Sequence, residues 1–335
     1  MVLSDELLSW PAVSIGLLGG GVLFLYAVRR SFSRKWGRYS LREMDDVKGK
    51  TIIITGANTG LGYDAALKLA EKNPKLILAC RNAEKGNKAV QNIIQLSGYT
   101  DVHFMELDLS SLKSVETFAG KFLEEHDKLD VLLCNAGVWS PMDQKKKSQD
   151  GFEIHFGVNH LGHHYLVSLL KDRIMESSGR IVMVSSLLML HGKVDMESKN
   201  FVEEGRPQEG RSWVPTGYAD SKIMNGLMAK QYAAAGLKAL AICPGWCKTE
   251  LARYVPLTCW KKFVMFLVSS VFQRSSSAGS ENLVFAAVTK EFENGGFYRE
   301  CRIAQKEMDK LNALTEVGNQ LHSLSDELIT SKINA

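Results

Sequence analysis

From about Lys50 to Lys290, short apolar runs alternate with longer stretches in which apolar residues recur every three or four positions. The runs Thr51–Thr55, Leu76–Cys80, Val102–Glu106, Val131–Cys134, Arg180–Ser185 and Leu240–Cys243 read as strands. Stretches beginning near Leu61, Lys85, Leu112, Asp150 and Tyr218 read as amphipathic helices. Continuous apolar strands joined through helices imply a parallel sheet covered on both faces. The predicted fold class is therefore α/β, a single doubly wound parallel sheet occupying residues 48–300.

Two segments fall outside that alternation. Leu7–Val28 contains no charged side chain, follows Asp5 and Glu6, and precedes Arg29, Arg30, Arg34, Lys35 and Arg38. As a helix it would be about 33 Å long, enough to cross a hydrocarbon core of roughly 30 Å. The basic flank predicts that residues 1–40 are an uncleaved single-pass anchor with the body on the cytosolic side. At the other end, residues 301–335 carry Leu311, Leu314, Leu321, Leu324 and Leu328 on a charged background. That is an amphipathic tail, suited either to packing or to a homodimer contact. Trp260-Lys261-Lys262, running into an apolar stretch, suits either an interfacial helix or the core.

Composition narrows the class without naming a chemistry. The 335 residues are 45% hydrophobic and 23% charged, ordinary for a globular chain. Lys+Arg 41 against Asp+Glu 37 leaves a net charge of +4, too small and too mixed for a nucleic-acid partner. The six cysteines lack paired Cys-x-x-Cys spacing, which points to a reduced compartment and to no metal site.

The first strand runs into Thr55-Gly56-Ala57-Asn58-Thr59-Gly60-Leu61-Gly62 and then a helix. Glycines at that junction let the backbone turn and approach a pyrophosphate, whose charge the helix N-terminus favours. The second strand ends in Arg81, where a carboxylate would accept the ribose hydroxyls of NAD. A guanidinium there pairs instead with a 2′-phosphate, so the expected cofactor is NADP. Asp108 after the third strand is a candidate for the adenine edge, and Asn135-Ala136-Gly137 ends the fourth. Pro244-Gly245 and Thr249 follow the sixth, within reach of an amide-bearing ring.

Tyr218 and Lys222 lie four apart, on one face of a helix. An unperturbed phenol titrates near ~10, and bringing it to neutrality takes roughly 4 kcal/mol, which a nearby ammonium can supply. Tyr-x-x-x-Lys alone is common by chance. Ser186, at the carboxyl end of the fifth strand, faces the crevice where such sheets bind ligands. Asn159 lies within the helix predicted from Asp150, where an asparagine is ordinarily exposed. His155, His160, His163 and His164 have metal-like spacing, yet no ligation is expected of them.

Together, Thr55-Gly56-x-x-x-Gly60-x-Gly62, Asn135-Ala136-Gly137, Asn159, Ser186, Tyr218-x-x-x-Lys222 and Pro244-Gly245 resemble the short-chain dehydrogenase/reductase family. Ala79-Cys80-Arg81, Asp150-Gly151-Phe152-Glu153 and the run His155–His163 look like its membrane-anchored, retinol-dehydrogenase-like branch. The 32-residue step from Ser186 to Tyr218 matches that branch's insertion. Leu187-Leu188-Met189-Leu190 departs from its pattern, leaving the substrate open. The resemblance implies a Rossmann fold and pro-S hydride transfer between NADP(H) and a lipophilic alcohol or carbonyl of retinoid, steroid or polyprenoid type. It implies Tyr218 as general acid/base, and Lys222 as its activator and a ribose ligand. Ser186 would orient the substrate oxygen and Asn159 hold a relay water. Endoplasmic reticulum or lipid droplet is the expected membrane. A non-catalytic cofactor-binding or lipid-droplet scaffold of the same fold is the alternative, disfavoured because all four catalytic positions are intact.

Overall fold

The computed structural model describes residues 28–31, 47–208, 214–248, 268–269 and 272–334. Strand β1 (Thr51–Thr55) is buried along its whole length, as its apolar run requires. It is followed by α1 (Gly60–Ala70), β2 (Lys75–Cys80), α2 (Ala83–Ser97), β3 (Val102–Glu106), α3 (Leu112–Glu125) and β4 (Val131–Cys134). A wide π turn (Phe156–Leu161) leads into α4 (Gly162–Glu176), then β5 (Arg180–Val184), α5 (Thr216–Ala234) and β6 (Lys238–Cys243). The chain closes with α6 (Ser276–Val288), β7 (Phe297–Arg299), β8 (Arg302–Ile303), α7 (Gln305–Asn312) and α8 (Thr315–Ile333).

The strands form one sheet in the order β3-β2-β1-β4-β5-β6-β7-β8. The order reverses beside β1, and the crevice beyond the strands' carboxyl ends opens there. Ile53, Ile77, Leu132 and Ile181 point to one face with α3, α4 and α5. Ile52, Ile54, Leu78 and Val182 point to the other with α1 and α6. Each such aliphatic side chain, removed from water, stabilises the fold by about 1.5–3 kcal/mol.

Two expectations need correction. The sheet is not wholly parallel, because β8 pairs antiparallel with β7 through Tyr298↔Ile303 and Arg299↔Arg302. The helix expected from Asp150 starts instead at Ile154, after a turn through Gly151. Of the two roles open to the tail, the described residues show packing: Leu311 and Leu321 are fully buried in the same core as α5, and Leu324 nearly so.

The chain divides into two compact units, Gly37–Pro256 with Ser275–Ala335, and Met1–Trp36 with Leu257–Arg274. In the second unit a helical turn spans residues 28–31, and Arg29 Nη1 donates to the Gln273 carbonyl at 3.3 Å. Residues 1–27 and 32–40 of the expected anchor, and 260–267, 270 and 271 of the expected interfacial segment, lie outside the described residues. Among the described residues no helix is long and apolar enough to cross a membrane.

Candidate active site

The glycine loop is shaped by close approach. Gly56 has φ +67, and a Cβ there would sit 2.9 Å from Ala136 Cα. At Gly62 a Cβ would meet Asn135 Nδ2 at 2.5 Å and the Gly56 carbonyl oxygen at 2.8 Å. Helix α1 therefore lies hard against the ends of β1 and β4. Behind the loop, the buried Thr55 hydroxyl accepts from the amides of Asn135 and Ala136, both at 2.9 Å. His163 Nδ1 can only donate to the Asn159 carbonyl at 3.1 Å, so its Nε2 accepts the Thr55 proton at 2.9 Å. Burial pushes that imidazole down to about 4, keeping it neutral in this role. Thr55 and Gly62 thus stand behind the loop, while Gly56, Asn58, Thr59, Gly60 and Leu61 form its partly exposed rim.

Arg81 is exposed directly after β2, and its side chain has no partner among the described residues. Asp108 accepts from the Ser110 amide and hydroxyl at 2.9 and 2.8 Å, and from Gln149 Nε2 at 3.1 Å. Those bonds fix the loop after β3. Gly245, with φ +84, turns the chain after β6, and Pro244 beside it is buried. Thr249 lies outside the described residues.

Helix α5 starts against this crevice. Tyr218 is 5% exposed, and its hydroxyl faces the Ser186 side chain. Lys222 Nζ donates to the Val184 carbonyl at 2.9 Å and stands 5.4 Å from the centre of the Tyr218 ring. A Cβ on Gly137 would lie 3.4 Å from Asn159 Oδ1 and 3.6 Å from Lys222 Nζ, so both groups face the same bare glycine. The fold thus brings Ser186, Tyr218, Lys222, Asn159 and Gly137 together from four separate elements. A protonatable hydroxyl, a second hydroxyl and an amine grouped in this way can exchange a proton with an oxygen that reaches them.

A family model for short chain dehydrogenases matches residues 50–197. Retinol dehydrogenase 12 from Mus musculus is 36% identical over 265 residues, covering 76% of this chain and 79% of that protein. Retinol dehydrogenase 14 from the same species is 31% identical over 330 residues, 92% of this chain and 95% of the relative. The chain belongs to the short-chain dehydrogenase/reductase family. An uncharacterized protein from Mycobacterium Paratuberculosis has a similar crystal structure, with TM-score 0.64 and 27% identity over 88% of this chain and 98% of that one. Within the family the chain is retinol-dehydrogenase-like, an alcohol/carbonyl oxidoreductase that uses a nicotinamide cofactor.

The residues present fit such a dehydrogenase cofactor. Thr59 precedes α1 in extended conformation and its side chain does not cap the helix. The first amides of α1 are thus left to a ligand anion, whereas Asn82 and Ser111 cap α2 and α3.

Two features differ from what a short-chain dehydrogenase motif suggests on paper. Burial pushes the Tyr218 phenol up rather than down, with only the Ser186 side chain opposing it. Burial also pushes Lys222 down to about 8, and its proton is directed to the Val184 carbonyl. In this protein alone, therefore, the tyrosine keeps its proton at neutral pH. Asn159, expected to be exposed, is fully buried. Its Oδ1 accepts from the Val138 amide at 2.7 Å, and its Nδ2 donates to the Val138 carbonyl at 3.1 Å and Ser221 Oγ at 3.0 Å. The side-chain amide is spent on protein partners and has little left for a water.

Other supports escaped sequence reasoning. Glu153 accepts from the amides of His155 and Phe156 at 2.9 and 2.8 Å, and His155 Nδ1 donates to its other oxygen at 2.6 Å. His155 Nε2 then accepts the Ser140 amide at 3.0 Å, which seats Trp139 against the Tyr218 ring, centres 4.5 Å apart. Spacing gives no sign of this chain of contacts. The runs Asp150–Glu153 and His155–His163, noted for their resemblance, marked the place without showing the contacts.

Proposed function

We propose that this protein reduces a lipophilic aldehyde or ketone to its alcohol at the expense of NADPH, and runs the reverse reaction when product accumulates. What carries the reading is the meeting of Tyr218, Ser186 and Lys222 beside bare Gly137 at the crevice. A nicotinamide cofactor, when bound, supplies the hydride to the carbonyl carbon or accepts it from the alcohol. Tyr218, held protonated by burial, donates its proton to the substrate oxygen as charge develops there. Ser186 orients that oxygen through a hydrogen bond. Lys222 holds positive charge beside the phenol below about pH 8, stabilising the phenolate left by that transfer. Asn159 is a positioning residue, fixing Val138 and hence Gly137 against α5.

Arg81 would pair with the 2′-phosphate that distinguishes NADPH. Gly56, Asn58, Thr59, Gly60 and Leu61 would line the pyrophosphate, with Asn135, Ala136, Gly137 and Pro244-Gly245 along the rest of the cofactor. Leu187 and Trp246, next to Ser186 and Gly245, are 43% and 41% exposed. Large apolar side chains left in water at the site's mouth favour an apolar substrate. Residues 1–40 would tether the chain to the membrane from which such a substrate arrives.

NADPH consumption by the full chain, with retinoid, steroid, polyprenoid and fatty carbonyls presented in vesicles, tests the proposal. Turnover on at least one of these is expected, and silence across the panel removes the substrate class. Arg81→Asp should shift the NADPH-to-NADH preference by about tenfold or more toward NADH, the size of one lost charge-assisted contact. An unchanged ratio refutes the phosphate assignment. Vesicle turnover unaltered by removal of residues 1–40 would count against membrane delivery.

A further inference from the structure

Four histidines crowd the turn-and-helix segment from His155 to His164, and the structure sends each to a different partner. His155 serves Glu153, His160 bonds Ser325 at 2.9 Å and His163 serves Thr55. His164 alone meets further ligand-type groups. His322 and Asp326, one turn apart on α8, bring their side chains to it where α8 packs across α4 and α5. Each of the three offers one ligand atom, and these atoms lie within 4.8 Å of one another. We propose that His164, His322 and Asp326 form a zinc-binding site that pins α8 to the body of the fold.

Two imidazoles and one carboxylate are a zinc ligand set that leaves the fourth position to water. Neighbouring donors around tetrahedral zinc lie about 3.3 Å apart, given bonds of ~2.0–2.1 Å. His164 Nε2 stands 2.9 Å from Asp326 Oδ1 and His322 Nδ1 3.3 Å from Asp326 Oδ2, so the carboxylate lies between the two rings with one oxygen toward each. His322, with its side chain 36% exposed, has the freedom to close the remaining gap. Tyr232 supplies the outer support, its hydroxyl 2.9 Å from His164 Nδ1. With Nε2 on the metal, Nδ1–H donates to the Tyr232 oxygen, which fixes the tautomer and the ring plane. Lys171 is the cation facing this group, and it weakens rather than creates the site.

The site lies toward the far end of α5 from the catalytic tyrosine, 14 residues and about 21 Å along the helix axis. It is therefore testable without any turnover. Full-length protein stripped with EDTA and desalted is titrated with zinc chloride by calorimetry, and its melting temperature is followed in parallel. One zinc per chain at micromolar affinity or better is expected, with a higher melting temperature. His322→Ala and Asp326→Asn change partly exposed positions, so both should fold, with unaltered circular dichroism in EDTA. Each should lose more affinity than the roughly 10–100-fold typical of outer-shell changes. His103→Ala, which removes an exposed surface histidine on β3, should bind zinc as the parent does. Cobalt in place of zinc should give visible bands of a tetrahedral site without a thiolate charge-transfer band. Parental affinity in either ligand variant, a thiolate band, or no zinc bound by the parent would each overturn the assignment.

Discussion

Helix α5 buries one tyrosine at each end, and the two sit in opposite company. Tyr218 is 5% exposed and Tyr232 3%, and desolvation pushes both phenols up. Tyr232 has an imidazole acceptor 2.9 Å away and the Asp326 carboxylate nearby, which raises it further. Tyr218 has the Ser186 hydroxyl, a lysine amine 5.4 Å from its ring centre and a bare glycine opening beside that amine. Burial makes a phenol hold its proton. What it can then do depends on whether a substrate oxygen can reach it and whether a cation stands ready afterward.

The contrast breaks most visibly on removing each hydroxyl in turn. Tyr218→Phe should lower kcat by about 10²–10⁴-fold while cofactor binding, read by fluorescence quenching, is retained. Retained turnover would dissolve the distinction between the two ends. The amine comes next. Lys222 is pushed down from 10.5 to about 8, so between those pH values the unfolded chain binds more protons than the folded one. The lysine's penalty on folding is therefore full below about pH 8 and relieved as pH rises toward 10.5, by about 3 kcal/mol in all. Denaturant unfolding of the parent against Lys222→Met should show the difference between them shrinking over that window; a flat difference would mean the amine is not desolvated. Smallest is Tyr232→Phe, which should cost about 1 kcal/mol of stability for the lost His164 bond and leave kcat within about twofold. A large loss of turnover from that variant would show that the far end of the helix is coupled to the chemistry.

Sequence patterning reached the elements that bury continuous apolar runs, since Ile52–Ile54 or Leu76–Leu78 have nowhere else to go. It missed β7 and β8, which together hold five residues around a turn with positive φ at Glu300 and Cys301. So short a hairpin has no period to detect. Motif spacing located the residues around the crevice, but not their electrostatics: the destination of the Lys222 proton is a backbone carbonyl 38 positions away. Asn159 was placed on the right segment and given the wrong exposure, because the π turn rotates it inward against β4's end. His164 and Asp326 lie 162 positions apart, beyond the reach of any spacing rule.

The burial of Leu311 and Leu321 against α5 also acts as a mechanical restraint. A Cβ on Gly226 would meet the Leu311 Cδ atoms at 3.0 and 3.1 Å, so α7 rests directly on the helix that carries Tyr218. Rolling or sliding that helix would first have to lift α7 from it.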